Sequence, residues 1–375
     1  MKKPFVYGEL AEDENFIDRI EDRKRLKTFL SSGINVTLIS PRRWGKSSLV
    51  KKSTQEMVAE NSNTKVCYID AFRLNSANDF YSAYTTAVAN CVATTMERIT
   101  DSIKRHIRSF SPSLNIKGRI VDVEINLNYH PTEKTVEEIL DLPEQLAKEH
   151  NYHIIVCIDE FQRLAELPEW KSMEGMLRSV WQHHKNVNYC LYGSKRHMMT
   201  QIFTNSNNPF YRFGQTLYLE KIAPQYWIEY IINTFKETGK YISEDFARLI
   251  CHAADNHSWY VQQLSFFVWA ATEDSVTEDI FRSQLQAVID TNKPVFESEV
   301  DKLATSQIAM LRAIAAGENH LNAADVVKKY NLGGAQTITR NKRLLIEKDF
   351  LEKHNDTIHF VDPIFKLWFE RQYLQ

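Results

Sequence analysis

The length and composition of this chain exclude several classes of protein. At 375 residues it is too long for one ordinary hydrophobic core, so we expect two or three domains. A formal net charge of −2 excludes a uniformly basic nucleic-acid coat, while the hydrophobic fraction of 43% and the charged fraction of 25% are typical of a soluble globular protein. The five cysteines are widely spaced, which indicates reduced thiols in the core. Their spacing does not match that of metal ligands. Because no apolar run reaches about 18 residues and no signal peptide is recognisable, we expect a cytoplasmic protein without a membrane partner.

The first organised segment is FIDRIEDRKRL at residues 16–26, whose spacing predicts a short helix. If the chain binds a nucleotide, Phe16 and Ile17 are candidates to line the adenine pocket. The alternative is an ordinary amphipathic helix that packs on a sheet.

The stretch VTLISPRRWGKSSLV at residues 36–50 predicts a buried strand, a loop and the start of a helix. Residues 40–47 match the phosphate-binding pattern G-x-x-x-x-G-K-S/T, except that Ser40 replaces the first glycine. In such loops, backbone N–H groups and a helix N-terminus surround the phosphates, the lysine reaches the β and γ phosphates, and the hydroxyl holds Mg²⁺. We therefore predict ATP or ADP with Mg²⁺ as ligands, Ser47 as a metal ligand, and a surface lysine in an ordinary turn as the alternative. The predicted nucleotide-binding loop comprises Ser40, Pro41, Arg42, Arg43, Trp44, Gly45, Lys46, Ser47 and Ser48.

A second predicted feature of the site follows the apolar strand at residues 153–158, which ends in Asp159 and Glu160. Two carboxylates at the carboxyl end of a buried strand are costly unless they have partners or a role. In P-loop ATPases the first acid holds Mg²⁺ and the next polarises the attacking water. We predict these roles for Asp159 and Glu160, with a helix N-cap as the alternative.

Further strands complete the predicted core. Residues 65–72 predict a buried strand, residues 188–192 and 216–222 predict two further strands, and residues 111–130 alternate as a hairpin insertion. Ser194 lies just after the strand at residues 188–192 and is expected near the γ-phosphate. The alternative is that it is part of a plain turn. Five strands separated by helices predict an α/β fold: a P-loop three-layer core with a five-stranded parallel sheet.

The C-terminal half predicts two smaller units. Four helical patterns between residues 224 and 291 indicate an all-α unit, and residues 292–295 are the predicted linker. Three more helical segments and a two-stranded wing that turns at residues 355–356 describe a winged helix-turn-helix. The predicted domains are therefore residues 1–222, 223–295 and 296–375.

With these features in place, the chain resembles the AAA+ superfamily, and more narrowly the archaeal-type ATPase family of the STAND class. Members are signal-transducing ATPases with an AAA+ core, a helical lid and a winged helix. The resemblance covers nearly the whole chain, and its motifs here are FIDRIEDRKRL, SPRRWGKSSL, IDEFQRL, NPFYRFG, NHSWYVQQL and FVDPIFKLWF. The chain departs from the family at Ser40, which is usually glycine, and at residues 256–258, where Asn-His-Ser replaces Gly-His-Pro.

The resemblance implies roles for two further residues. Arg212 occupies the position of an arginine finger, a guanidinium that stabilises charge on the γ-phosphate and usually comes from a neighbouring subunit of a homo-oligomer. The alternative is a structural arginine in a turn. His257 is a candidate nucleotide sensor from the lid, with a packing histidine as the alternative.

Two functions follow from this sequence. The first is a nucleotide-dependent molecular switch with Mg²⁺-dependent, slow ATP hydrolysis, whose state is read by an unidentified protein partner. The second is an ATP-controlled regulator whose winged helix binds DNA, because residues 328–353 carry seven basic against three acidic side chains. A small-molecule kinase is disfavoured, since no acceptor pocket is recognisable.

Overall fold

The computed structural model describes residues 4–8, 16–92, 113–116, 123–126, 132–354 and 357–374. The chain divides into two compact units: Arg19–Glu220, and Met1–Asp18 together with Lys221–Gln375. Among the residues that the structure describes, no helix has both the length and the apolar character needed to cross a bilayer.

The Arg19–Glu220 unit alternates strands and helices. Its strands are β1 (Val36–Ile39), β2 (Thr64–Asp70), β3 (Ser113–Ile116), β4 (Val123–Asn126), β5 (His153–Asp159), β6 (Val187–Gly193) and β7 (Gln215–Tyr218). Its helices are α1 (Ile20–Ser31), α2 (Lys46–Glu60), α3 (Ala77–Val92), α4 (Glu133–His150), α5 (Trp170–Trp181) and α6 (Arg196–Thr204), with 3₁₀ turns at Ala71–Arg73 and Phe161–Glu166.

The central sheet is parallel, with strand order β2-β5-β6-β1-β7. Residues 154–158 of β5 are fully buried, as expected for a central strand covered on both faces. Strand β6 lies between β1 and β5, so their carboxyl ends meet at one edge of the sheet. The five-stranded parallel core predicted from the sequence is confirmed.

Two short strands lie within the predicted hairpin insertion at residues 111–130. Strands β3 and β4 pair antiparallel, with Leu114 opposite Ile125. The other residues of the predicted insertion lie outside the described part of the chain.

The second unit is mostly helical. Its helices are α7 (Pro224–Glu237), α8 (Glu244–Ala253), α9 (Ser258–Ala271), α10 (Glu278–Val300), α11 (Thr305–Ala315), α12 (Ala324–Tyr330), α13 (Ala335–Glu347) and α14 (Pro363–Tyr373). Strands β8 (Leu351–His354) and β9 (Thr357–Phe360) pair antiparallel as the wing, and the predicted turn at residues 355–356 lies outside the described residues. The order of helices and wing is that predicted for a four-helix unit followed by a winged helix.

The predicted linker at residues 292–295 is wrong, because α10 runs through it with Pro294 inside the helix. Ile289 and Phe296, on either side of the proline, are both buried. Burial of this apolar stripe offsets the backbone hydrogen bond that a proline removes. The side-chain amide of Asn292 also donates to the carbonyl oxygen of Val288 at 2.8 Å. The predicted boundary after residue 295 therefore falls within a helix.

The N-terminal residues pack in the helical unit, whereas the sequence placed them in a core of residues 1–222. Phe5 is buried and its ring contacts that of Tyr230 edge-on. The backbone N–H of Val6 donates to Gln262 Oε1 at 3.2 Å. Residues 1–15 are acidic and aperiodic in sequence, and a single buried phenylalanine carries too little pattern to predict such packing.

Helix α14 was not among the predicted elements. Asp362 caps it by accepting hydrogen bonds from the N–H groups of Ile364 and Phe365, and Pro363 occupies its first turn. The sequence Asp-Pro before an apolar run was the available signal.

Candidate nucleotide-binding site

The loop between β1 and α2 has the backbone shape that phosphate binding requires. Arg43 and Gly45 have positive φ values of 64° and 87°, and α2 begins at Lys46. A loop of this shape that leads into a helix N-terminus favours an anion. Ser40 is fully buried, and its hydroxyl donates to the carbonyl oxygen of Pro41 at 3.0 Å. A small side chain turned onto its own loop explains why serine replaces the usual glycine.

The other loop residues differ in exposure. Trp44 and Ser48 are buried, whereas Arg42 and Arg43 are exposed. Arg42 Nε lies 3.4 Å from Ser194 Oγ, a long hydrogen bond that links the loop to the end of β6.

Ser47 and Asp159 meet directly although 112 residues separate them. The Ser47 hydroxyl donates to Asp159 Oδ2 at 2.7 Å. Burial raises the pKa of Asp159, and the adjacent Glu160 charge adds to this, although Lys46 and the Ser47 hydroxyl oppose it. A hydroxyl and a carboxylate oxygen in contact form an oxygen-donor pair suited to Mg²⁺.

Lys46 and Glu160 form a nearly buried ion pair. Lys46 Nζ lies 2.9 Å from Glu160 Oε1 and 3.9 Å from Asp159 Oδ1. The side chains of Lys46 and Glu160 are only 8% and 15% exposed, so their attraction is little screened by solvent.

Glu160 has further donors on its second oxygen. The Ser194 hydroxyl donates to Oε2 at 2.7 Å, and the Gln162 side-chain amide donates to the same atom. Burial raises the pKa of Glu160, but the charge of Lys46 and these hydrogen bonds outweigh it and lower the pKa to about 2. Glu160 is therefore held as a carboxylate.

Gly193 allows this arrangement to close. A Cβ atom at this position would lie 2.0 Å from Gln162 Oε1 and 2.7 Å from Met199 Sδ. Only glycine leaves room for the fully buried Gln162 beside the end of β6.

Gln162 is the site residue that the sequence analysis missed. Glu160 adopts a left-handed conformation with φ 49°, and the 3₁₀ turn Phe161–Glu166 follows it. This reversal returns Gln162 to the carboxylate two residues earlier. The segment FQRLAEL after Glu160 mixes apolar, polar and charged residues, so no local signal singled out Gln162.

The structure therefore brings Lys46, Ser47, Asp159, Glu160 and Ser194 together at the carboxyl edge of the sheet, as their predicted roles require. The roles themselves stay predictions.

The remaining predicted residues lie elsewhere. Arg212 is exposed, has φ 52°, and lies with its guanidinium 5.1 Å from the ring of Tyr211. Phe16 is half-buried, and Ile17 packs against the hydrophobic cluster of the helical unit. His257 is buried, and its ring centroid lies 5.0 Å from that of Tyr260. The proposed adenine, finger and sensor roles of these residues stay predictions.

Two family models match the chain. Residues 43–224 match the KAP family P-loop domain, and residues 294–371 match a probable winged helix domain. The chain therefore contains one region similar to a P-loop NTPase domain and one similar to a winged helix domain. The first model differs in name from the archaeal-type family that the motifs resemble, but it describes the same P-loop architecture.

Solved structures share the fold over the whole chain. A Walker-type ATPase of Pyrococcus abyssi has a TM-score of 0.69 at 17% identity, over 98% of this chain and 99% of its own. The ORC2 protein of Aeropyrum pernix, in ADPNP and ADP complexes, has a TM-score of 0.58 at 16% identity. The match covers 99% of this chain and 100% of that protein's chain. The ORC1 protein of Aeropyrum pernix in complex with DNA has a TM-score of 0.50 at 12% identity, over 96% and 94%. None of the curated proteins compared with the chain matches it. The predicted AAA+ architecture is thus confirmed as a fold, and membership of the STAND class stays a prediction.

Proposed function

We propose that this P-loop NTPase binds ATP with Mg²⁺, hydrolyses it slowly to ADP and phosphate, and acts as a nucleotide-dependent switch. The observation that carries the proposal is the contact of Lys46 with Glu160 beside that of Ser47 with Asp159. These are the phosphate cation, the water-activating base, and a metal-ligand pair, held at one edge of the sheet.

The residues present fit a Mg²⁺–nucleotide complex. Among the described residues, no cluster of three or more His, Cys, Asp or Glu side chains could hold a metal ion. Mg²⁺ in nucleotide sites instead uses one or two protein oxygens plus phosphates and waters, which is what Ser47 and Asp159 offer. Bound Mg²⁺ would supply electrostatic stabilisation of the charge on the phosphates.

In the proposed mechanism, two groups compete for the ammonium group of Lys46: the Glu160 carboxylate and the phosphates of ATP. This ammonium group lies 2.9 Å from Glu160 Oε1. The phosphates of ATP compete for the same ammonium group, because a multiply charged anion at the helix N-terminus attracts it more strongly. Release of Lys46 raises the pKa of Glu160 from its low value and makes this carboxylate a better acceptor for a proton of water.

Ser194 and Gln162 orient the carboxylate during this exchange. Both donate to Oε2, which leaves Oε1, the atom that contacts Lys46, as the oxygen that turns towards water. When Lys46 moves away, Oε2 of Glu160 thus keeps its two hydrogen-bond donors and Oε1 becomes available to accept a hydrogen bond from water.

A nucleotide-dependent switch needs a partner that recognises its state and hydrolysis slow enough for that state to persist. Slow hydrolysis lets the bound nucleotide set the state of the protein, and an unidentified protein partner would read that state. The STAND-like order of core, helical unit and winged helix supports this proposal. Arg212 fits a finger supplied to a second copy, because it is exposed and sits on a left-handed turn just before β7.

A DNA-binding regulator is the second candidate. Helix α13 of the winged helix exposes Gln336, Thr337 and Arg340, and the ORC1 neighbour was solved with DNA. Part of the basic charge is already paired, since Lys329 contacts Glu318 at 3.0 Å. The switch is therefore the better-supported function.

Phosphate release from the purified chain tests the proposal. The chain should release phosphate from ATP with Mg²⁺ and not with EDTA, and Lys46→Ala should abolish release. Stimulation by duplex DNA, lost in Arg340→Ala, would favour the second candidate. A parent chain that neither binds ATP nor releases phosphate would refute both.

A further inference from the structure

Arg19 is a buried cation in an unusual backbone conformation. Its side chain is 5% exposed, although arginine is rarely buried without a specific partner. Asp18 and Arg19 have positive φ values of 52° and 63°, which are unfavourable for residues with a side chain. Such conformations persist where the surrounding contacts fix them. Arg19 is also the first residue of the P-loop unit.

The guanidinium of Arg19 joins two backbone carbonyls that are far apart in sequence. Nη2 donates to the carbonyl oxygen of Trp44 at 3.0 Å, and Nη1 donates to that of Glu220 at 2.6 Å. Asp22 Oδ2 lies 3.1 Å from Nη1 and balances the charge. A planar fork of donors can hold two acceptors in fixed directions, which a single ammonium does less well.

The first of these bonds fixes a peptide of the P-loop. The carbonyl of Trp44 and the N–H of Gly45 belong to one planar trans peptide, so they point in opposite directions. Arg19 holds the carbonyl side, and the N–H of the same peptide points away from Arg19, at the loop position where phosphate-binding loops donate to an anion. A hydrogen bond at the carbonyl also polarises the peptide and strengthens its N–H as a donor.

The second bond fixes the peptide where the chain leaves the P-loop unit. The carbonyl of Glu220 shares a peptide with the N–H of Lys221, and these are the last residue of this unit and the first of the next segment. One residue earlier, the N–H of Leu219 donates to the carbonyl oxygen of Ile39 at 3.0 Å, at the end of the strand that leads into the loop.

We infer that Arg19 is a positioning residue. It couples binding of nucleotide in the P-loop to the chain crossing, which is the Glu220–Lys221 peptide where the chain leaves the P-loop unit. The inference rests on the proposed nucleotide binding. A phosphate that accepts a hydrogen bond from Gly45 N–H fixes the orientation of the Trp44–Gly45 peptide. Through its two hydrogen bonds, Arg19 then also restricts the motion of the Glu220–Lys221 peptide. The crossing therefore exchanges its amide hydrogens more slowly when nucleotide is bound.

Two variants and one control test this role. Arg19→Gln removes the charge and the fork, while Arg19→Lys keeps the charge and is the safer variant for folding. Arg23→Gln is the matched control, because Arg23 lies one turn along α1 and its guanidinium contacts Glu56 of α2 at 2.5 Å. Thermal unfolding of each variant verifies that it is folded.

The readouts are affinity for a fluorescent ATP analogue and hydrogen exchange of peptides covering residues 219–226, each with and without Mg²⁺–ATP. In the parent and in Arg23→Gln, we expect nucleotide to slow exchange at the crossing. In Arg19→Lys and Arg19→Gln, we expect affinity to fall roughly tenfold, as for the loss of one charged hydrogen bond. At saturating nucleotide the slowing at residues 219–226 should be lost in both variants, while slowing within the P-loop persists. A merely structural arginine would alter exchange equally with and without nucleotide.

The failures are distinguishable. If the parent binds nucleotide but the crossing does not respond, or if Arg19→Lys and Arg19→Gln respond like the parent, the coupling role is refuted and the proposed function stands. If the parent binds no nucleotide, the proposed function fails and the coupling fails with it.

Discussion

Lys46 Nζ lies 2.9 Å from Glu160 Oε1, so the cation assigned to phosphate contacts the carboxylate assigned to water. Lys46 begins helix α2, Glu160 follows strand β5, and the two residues are 114 apart in sequence. One contact thus links the two halves of the proposed mechanism, because nucleotide binding must draw Lys46 away from Glu160. Each of the first two predictions changes one side of this pair.

Replacement of Lys46 by alanine should lower ATP affinity by roughly 10- to 100-fold, because a charged hydrogen bond to the phosphates is lost. Isothermal titration calorimetry measures this. Lys52→Ala, on the same helix, is the matched control and should bind ATP like the parent. Unchanged affinity in Lys46→Ala would remove this lysine from the phosphate site.

The low pKa of Glu160 makes stability depend on pH in acid. Its pKa is about 2 in the folded protein against an ordinary 4.5, so the folded state binds fewer protons in between. Its stabilising contribution is complete above the ordinary value and is lost as the pH falls towards 2. The free energy of unfolding of the parent, minus that of Glu160→Gln, should fall by about 2 kcal/mol between about pH 6 and about pH 3.

Urea unfolding at several pH values measures that difference. Asp159 has a raised pKa and acts in the opposite direction, and because the Glu160 charge contributes to that shift, part of the Asp159 effect remains in the difference. A difference that stays constant with pH would show that Lys46 does not hold Glu160 ionised.

Replacement of Gly193 by alanine should disturb the Glu160 carboxylate indirectly, through Gln162. The new methyl group would overlap Gln162, which orients Glu160, so we expect a loss of about 1–3 kcal/mol in stability and a reduced rate of phosphate release. Gly175→Ala is the control, because a Cβ there meets nothing within 4 Å and lies in helix α5, where alanine is favoured. Normal turnover in Gly193→Ala would show that the position of Gln162 is unimportant.

Local patterns were sufficient to predict much of this site. The apolar run of β1 followed by Gly45-Lys46-Ser47, and the acids after β5, are signals that lie within a few residues of each other. Their meeting required only that the carboxyl ends of parallel strands share one edge. Ser194 followed from the same rule.

Other features depend on packing that no local pattern contains. The return of Gln162 to Glu160 requires the left-handed turn at Glu160, a conformation that its residue type does not favour. Pro294 predicted a helix end, yet burial of residues on both sides kept α10 continuous. The two carbonyls that Arg19 joins are 25 and 201 residues away from it in sequence, and only the fold brings them together.

The proposed role of Arg212 predicts that activity depends on assembly. If its guanidinium reaches the γ-phosphate of a neighbouring copy, phosphate release per molecule should rise with protein concentration, and Arg212→Ala should abolish that rise while ATP binding persists. Fingers of this type contribute about 10³-fold or more to rate. A mixture of Arg212→Ala and Glu160→Gln should regain part of the activity, since one interface then combines an intact base with an intact finger. Flat specific activity and an inactive mixture would assign Arg212 a structural role.

The central claim is that Glu160 activates water for hydrolysis of ATP bound at Lys46 and Ser47. Its most direct test is single-turnover phosphate release with Mg²⁺–ATP, measured beside ATP affinity, for the parent, Glu160→Gln and the control Glu166→Gln. Glu166 follows on the same 3₁₀ turn but contacts Lys195 at 2.9 Å. We predict that Glu160→Gln binds ATP at least as tightly as the parent and releases almost no phosphate, while Glu166→Gln turns over normally. Equal phosphate release by Glu160→Gln and the parent would contradict the account.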